Sequence, residues 1–224
     1  LLEIIPTNET HVEVVDFFMD YGDLFLGKMT VLCKDTPAFI ANRIGVFSIM
    51  TIFNLMQEMG LTIEEVDAVT GPVSGRPKSA TFRTCDLVGL DTLVKVAQGV
   101  QQNCPEDEAS GSYTIPDFLA KMVENKWLGD KTKQGFYKKS KDASGKRVIE
   151  ALYLKKMEYL PKAKVRSDAI GLARGADSLS KKIHILFNND DKLALFYKRL
   201  NLHLFSYVSN RIPEISDNLY GIDD

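Results

Sequence analysis

The chain has 224 residues, 45% of them hydrophobic, with a formal net charge of −2. That is enough apolar residue to bury a core in one large or two small units, and without a basic balance there is no electrostatic footprint for nucleic acid. Cys33, Cys85 and Cys104 form no C-x-x-C pair, which speaks against a disulfide framework and a zinc site, and no apolar run approaches the ~20 residues of a bilayer span. Leu2 to Ile5 and Met29 to Cys33 read as short apolar strands, and between them Thr10 to Phe25 carries apolar residues at helical spacing, ending at Gly27. Asn8-Glu9-Thr10 has the form of a glycosylation acceptor, but with no secretory signal it reads as a helix entry capped by Thr10. The strand-helix-strand unit has too few strands to cover its own edges, and Leu1 is no initiator Met, so a fragment of a longer polypeptide is expected.

From Thr36 the texture turns helical. Thr36 as cap, Pro37 in the first turn and Gly60 after the last apolar position predict a helix of about 22 residues. Thr62 and Glu65 form a capping box for a short helix ending near Gly71-Pro72. Ser79 to Val88, Thr92 to Gln101 and Pro116 to Lys126 are expected to add helices that pack on the long one, separated by Gly89-Leu90-Asp91 and the polar loop Pro105 to Ser112. Ser140 to Lys146 reads as a loop or hairpin turn, Arg147 to Leu154 with Lys156 to Leu160 as a small hairpin, and Ser178 to Asn210 as a helical block interrupted near Asn188 to Asp191, with Pro213 bending or ending it. The apolar patterns from Asn42 to Asp67 and from Lys198 to Asp223 resemble each other, either as an internal repeat or as two amphipathic helices each followed by an acidic turn.

Few residues point to chemistry. Glu3, set among Leu1, Leu2, Ile4 and Ile5, either faces solvent by strand alternation or is buried against a partner; the sharper reading has it orient a histidine and stabilise its charged form. Asn42, 39 residues later, is neutral, both donates and accepts, and near a helix N-terminus can hold a substrate oxygen, or simply bond a loop. Gly71 to Ser79 misses the phosphate-loop spacing and reads as a rigid turn, with Arg76 and Lys78 as possible anion contacts. His11, His184 and His203 share no ligand spacing, so no metal site is assigned. Trp127 and Phe136 read as packing residues.

Taken together, Leu1-Leu2-Glu3-Ile4-Ile5-Pro6, Lys34 to Arg43, Asp86-Leu87-Val88-Gly89-Leu90-Asp91-Thr92 and Gly135-Phe136-Tyr137 resemble 3-hydroxyacyl-CoA dehydrogenase of fatty acid β-oxidation over about residues 1 to 139. Gly75 to Arg83 is similar to long bacterial members with two copies of the helical domain and often a hydratase-like region. The resemblance implies a mainly α fold: a helical C-terminal dehydrogenase domain, 6-phosphogluconate dehydrogenase C-terminal-like, preceded by a residual strand-helix-strand of a Rossmann domain. It divides the chain into 1–34 (end of the NAD-binding domain), 35–139 (helical domain), 140–190 (linker with a possible hairpin) and 191–224 (start of a truncated second helical repeat).

The same resemblance implies oxidation of (3S)-hydroxyacyl-CoA to 3-oxoacyl-CoA with NAD as cofactor, in the cytoplasm. Glu3 becomes the partner of a catalytic His outside this sequence, Asn42 the residue that positions the substrate oxygen, and Lys131 a cation reaching the cofactor. The implied partners are the acyl-CoA substrate, the N-terminal Rossmann domain, and a second helical repeat or a homodimer partner. With the His and the Gly-rich NAD fingerprint outside the sequence, the chain alone is expected to be inactive. The competing reading is a non-catalytic helical dimerisation or domain-packing module. Two departures stand out: Ala38 replaces a common Gly, a change expected to be tolerated in a helix, and Ser79-Ala80-Thr81 replaces the more usual Gly-Pro of the inter-helix turn.

Overall fold

A computed structural model describes residues 1–142 and 144–223. The chain opens with β1 (Leu2–Ile4), α1 (Val12–Asp20), a π-helical turn (Tyr21–Phe25) and β2 (Thr30–Leu32). The two strands pair in parallel, with Glu3 opposite Val31, as the right-handed crossover of a strand-helix-strand unit allows. Thr10 does not cap α1: its hydroxyl accepts the Thr7 amide (3.0 Å) in the preceding turn, and His11 takes the cap position without a side-chain bond.

The helical body follows. The central helix α2 (Ala41–Met59) buries residues on most of its circumference, among them Phe47, Met50, Phe53 and Met56, and such a helix belongs inside other helices rather than on a surface. It ends at Gly60 in the left-handed conformation (φ 60°), as the sequence indicates. It does not begin at Pro37. Ala38 and Phe39 have φ of 66° and 52°, so residues 37–40 form a turn and the helix is shorter than expected. Helix α3 (Ile63–Val69) carries the anticipated Thr62–Glu65 capping box. Then come α4 (Phe82–Val88), α5 (Leu90–Asn103) and α6 (Asp117–Glu124). Ala80 (φ 50°) and its neighbours are a turn, so α4 starts three residues later than the apolar pattern suggests. The Ala38 and Ala80 turns fall at the two departures noted in the sequence. Ala38 is therefore not in a helix, and a left-handed backbone is what a glycine there would relieve.

Past residue 136 the polar stretch is a hairpin turn, and the expected hairpin behind it gains a further strand in front. Three antiparallel strands, β3 (Tyr137–Lys141), β4 (Arg147–Tyr153) and β5 (Glu158–Pro161), form a meander in that order. Ala143, in the turn between the first two, lies outside the described residues. Helix α7 (Asp168–Gly175) has no counterpart in the sequence reading, whereas α8 (Leu179–Phe187) and α9 (Lys192–Asn210) are the two arms of the expected block, with its break at residues 188–191 where the sequence places it. Helix α9 starts at Lys192, whereas the suggested repeat would place its start opposite Ala41 at Tyr197. It runs antiparallel to α2: Tyr207 stacks on Phe47 (3.8 Å between centroids) at one end, and Arg199 grips Glu58 with two 2.9 Å bonds at the other.

The core gathers an aromatic cluster of Phe53, Phe82, Phe118 and Phe136, with Phe82 edge-on to Phe136 at 4.6 Å. Phe136 is fully buried and Trp127 packs edge-on against Tyr159, so both are packing residues. Among the described residues no helix is long and apolar enough to cross a membrane.

Candidate active site at the N-terminus of the central helix

The first turn of an α-helix presents amides without intrahelical partners, and α2 has no capping side chain of its own. Glu3 reaches across from β1 to supply one. Its Oε1 accepts the amides of Ile40 (2.9 Å) and Ala41 (2.8 Å), where the helix dipole favours negative charge. The carboxylate is half-buried, and its Oε2 has no hydrogen-bond partner among the described residues. Cys33 Sγ lies 3.6 Å from Oε1, and burial, followed by the Glu3 charge, pushes its thiol up to about 12.

Asn42 is the second residue of α2, one position beyond the Ala41 amide that Glu3 holds. It is exposed, and its amide group makes no hydrogen bond among the described residues. The structure thus brings Glu3 and Asn42 to one helix end. Lys131 stands on a different element, the 3₁₀ turn Asp130–Thr132, where its ammonium pairs with Asp91 beside Gly89. Beyond the carboxyl ends of β1 and β2 a cavity of about 800 Å³ opens, lined by Pro6 to Glu9, Leu32 to Asp35, Ser216 and Asp217. The carboxyl ends of parallel strands are where α/β sheets ordinarily receive ligands.

Beneath Asn42, Arg43 is fully buried. Its Nε donates to the Tyr207 hydroxyl (2.7 Å), and the same guanidinium donates to Asp107 (2.7 Å) and lies 3.1 Å from Glu214. Tyr207 in turn donates to Asp107 (2.7 Å) and meets the Tyr113 hydroxyl at 2.7 Å. Burial pushes Asp107 up, but the bonds from Tyr207, the Ala109 amide and Arg43 outweigh it and hold its carboxyl below the usual range. This cluster pins the first turn of α2 to the C-terminal segment. Asp107 and Tyr207 were invisible as partners, because each sits in an ordinary polar loop or amphipathic helix with no spacing that relates it to Arg43.

A second carboxylate missed by sequence reasoning is Asp86, which accepts the amides of Phe136 (2.8 Å) and Tyr137 (2.9 Å). A Cβ at Gly135 would lie 2.0 Å from Asp86 Oδ1, and one at Gly129 (φ 95°) 2.2 Å from the Asp86 carbonyl oxygen. Only glycine lets that loop close on Asp86, which explains the glycine in Gly135-Phe136-Tyr137.

A parallel strand pair that lends a carboxylate to the first turn of a long buried helix, wrapped by further helices, defines a helical domain built onto the end of an α/β unit. Residues 39–139 match the family described as 3-hydroxyacyl-CoA dehydrogenase, C-terminal domain. It is 40% identical over its whole length to a probable 3-hydroxyacyl-CoA dehydrogenase of Bacillus subtilis, spanning 28% of that protein. Over 63% of its length it is 46% identical to a protein of the same description from Deinococcus radiodurans, covering 40% of it. The crystal structure of M. tuberculosis FadB2 superposes with a TM-score of 0.52 at 30% identity, over 62% of this chain and 47% of that one. The matched stretches therefore span between 28% and 47% of these relatives' lengths.

Proposed function

We propose that the chain is the substrate-side part and helical domain of an NAD-dependent 3-hydroxyacyl-CoA dehydrogenase of fatty acid β-oxidation, interconverting (3S)-hydroxyacyl-CoA and 3-oxoacyl-CoA. The observation that carries this reading is Glu3 fastened to the first turn of α2, which sets a carboxylate with one free oxygen beside an exposed Asn42. In the proposal Glu3 Oε2 accepts an imidazole N–H, holding its tautomer and favouring its charged form as it takes the hydroxyl proton. Asn42 donates to the substrate oxygen at C3 without adding charge to the site. The imidazole comes from elsewhere in a longer polypeptide, since the Glu3 carboxylate is engaged by Cys33, Ile40 and Ala41 and not by His11, His184 or His203 among the described residues.

NAD, when bound, supplies the hydride acceptor. The residues present do not themselves make a dinucleotide site: the turns after β1 and β2 contain no glycine for a close phosphate approach, and Lys131 is occupied by Asp91. The reading keeps the division into 1–34, 35–139, 140–190 and 191–224. It locates the protein in the cytoplasm, with the acyl-CoA, an N-terminal Rossmann domain, and a second helical repeat or homodimer partner as its associates. A relative from Rickettsia prowazekii, 25% identical over the whole chain, carries the name putative fatty acid oxidation complex trifunctional enzyme, which supports the pathway.

The test is acetoacetyl-CoA-dependent NADH oxidation by a polypeptide that includes the N-terminal domain. Asn42→Ala and Glu3→Gln are each expected to lower turnover by roughly 10²-fold or more at an unchanged helical circular dichroism spectrum. Full turnover in both would leave Glu3 as a helix cap only. The 224-residue chain alone is expected to turn over negligibly, and oxidation at ordinary dehydrogenase rates would overturn that part.

The second reading, an association module, is favoured by an exposed aromatic row. Phe17 stacks on Tyr21 at 5.7 Å and Tyr21 on Phe25 at 5.6 Å, with Phe17 59% and Phe25 76% exposed.

A further inference from the structure

A cleft of about 970 Å³ opens among α3, the turn before α4, strands β3 and β4, and the segment leading into α7. Eight cationic side chains and three acidic ones line it, an excess of five positive charges in a chain whose net charge is −2. Glu3, Asn42 and Lys131 are not among its walls.

The three acids are already engaged within the fold. Asp67 accepts the Thr81 and Phe82 amides (3.1 and 2.8 Å) and the Tyr137 hydroxyl (2.7 Å). Glu64 accepts the Ala163 amide (3.1 Å), and Asp130 is clasped by Arg83, with one bond of 2.6 Å. The cations are not so engaged: Lys78, Lys133, Lys139, Lys162, Lys164 and Arg174 have no ion-pair partner among the described residues. Lysines spread over a convex surface are merely solvated, but like charges gathered around a concavity repel one another and focus a positive potential into it. Such a site is completed by a compact polyanion.

The walls narrow the choice further. Ala68, Ala80, Ile149 and Val165 supply apolar surface beside the Tyr137 ring, over which Lys162 Nζ lies at 5.1 Å from the centroid. The volume falls within the range of about 300–1,000 Å³ typical of small-molecule sites, whereas a nucleic acid needs an extended basic stripe. We propose that this cleft binds a nucleoside di- or triphosphate, its phosphates among the lysines and its base against the Tyr137 and Ile149 side. The site is separate from the Glu3–Asn42 end, so it stands or falls independently of the dehydrogenase reading.

The experiment is calorimetric titration of the 224-residue chain with ADP at low salt, alongside inorganic pyrophosphate and adenosine. ADP is expected to bind, pyrophosphate more weakly, adenosine not measurably, and added NaCl to weaken ADP. Lys139→Glu with Lys164→Glu, both exposed positions, should weaken ADP by roughly tenfold or more, while Lys155→Glu, exposed and outside the cleft, should change it less than about twofold. Should the double variant lose its circular dichroism spectrum, Lys78→Gln replaces it and is expected to weaken ADP measurably. Absence of ADP binding at millimolar concentration, pyrophosphate binding as tight as ADP, or an equal loss in Lys155→Glu would each overturn the proposal.

Discussion

Glu3 and Asp86 perform the same task at two ends of the molecule: each carboxylate accepts two backbone amides of another element, at 2.9 and 2.8 Å for Glu3 and at 2.8 and 2.9 Å for Asp86. The difference lies in what is left over. Asp86 is 1% exposed and commits both oxygens to the loop it holds, whereas Glu3 is half-buried and commits one. At Asp86 the buried polar groups are fully used in fastening, as low-dielectric surroundings require. The end of the molecule where β1 meets α2 keeps a Glu3 carboxylate oxygen and the exposed Asn42 amide without partners among the described residues, which is what a surface that meets ligand or partner needs. In the role proposed for Glu3, what sets it apart from Asp86 is this residual hydrogen-bonding capacity.

Several substitutions would break or sharpen that contrast. The largest effect is expected at Arg43, the buried link between the first turn of α2 and the C-terminal segment: Arg43→Leu leaves the buried Asp107 with only Arg211 as a cation, 3.6 Å away, and should cost roughly 3–5 kcal/mol in denaturant unfolding. A loss below about 1 kcal/mol would show that the cluster does not tie α2 to the C-terminal segment.

Next is the titration of Asp86. Burial pushes it up to about 6, against the amide bonds from Tyr137 and Phe136 that favour the carboxylate. With the folded-state value above the unfolded one of about 3.9, its contribution is fully present below that lower value and is lost as pH rises through about 6. Wild type should therefore lose up to roughly 3 kcal/mol more stability than Asp86→Asn between pH 4 and 7. Burial pushes Asp67 in the same direction, so only the difference between the two proteins isolates Asp86. Parallel pH profiles would count against a buried, raised carboxyl.

A smaller and opposite effect is expected at the junction. Ala38→Gly relieves a left-handed residue (φ 66°) and should raise stability by up to about 1 kcal/mol, whereas a clear loss would mean that the Ala38 methyl packs more than it strains. The smallest change is predicted at the open edge: Phe17→Ser should alter unfolding by less than about 0.5 kcal/mol. In sedimentation the same substitution should shift any self-associated species toward monomer. A large loss of stability there would show that the aromatic row belongs to the core.

Much of this arrangement was legible beforehand. The strand-helix-strand unit, the Thr62–Glu65 capping box, the stop at Gly60 and the packing role of Phe136 follow from local chemistry that neighbours in sequence supply. What was misread depended on distant partners. The start of α2 was placed at Thr36-Pro37 because those residues suit a helix entry, but the cap arrives from Glu3 on another strand. Helix α7 was missed because it is short, from Asp168 to Gly175, and holds only a few buried apolar residues between polar flanks. The hairpin turn expected at Ser140 to Lys146 is there, but Ser140 and Lys141 belong to the strand before it, since polar residues join a strand when its partner, here Arg147 to Val148, lies across a turn.

By itself the sequence determined the mainly α class, the order of most elements and the motifs that carry the family resemblance, because periodicity, caps and motif spacing are properties of short segments. Only the tertiary structure decided that Glu3 and Asn42 share a helix end while Lys131 is held by Asp91, that Arg43 is clasped by Tyr207 and Asp107, and that eight cations converge on one cleft. Hydrogen bonds and focused charge between residues far apart in the chain leave no periodic trace in it, and they exist only once the hydrophobic core has brought the elements together.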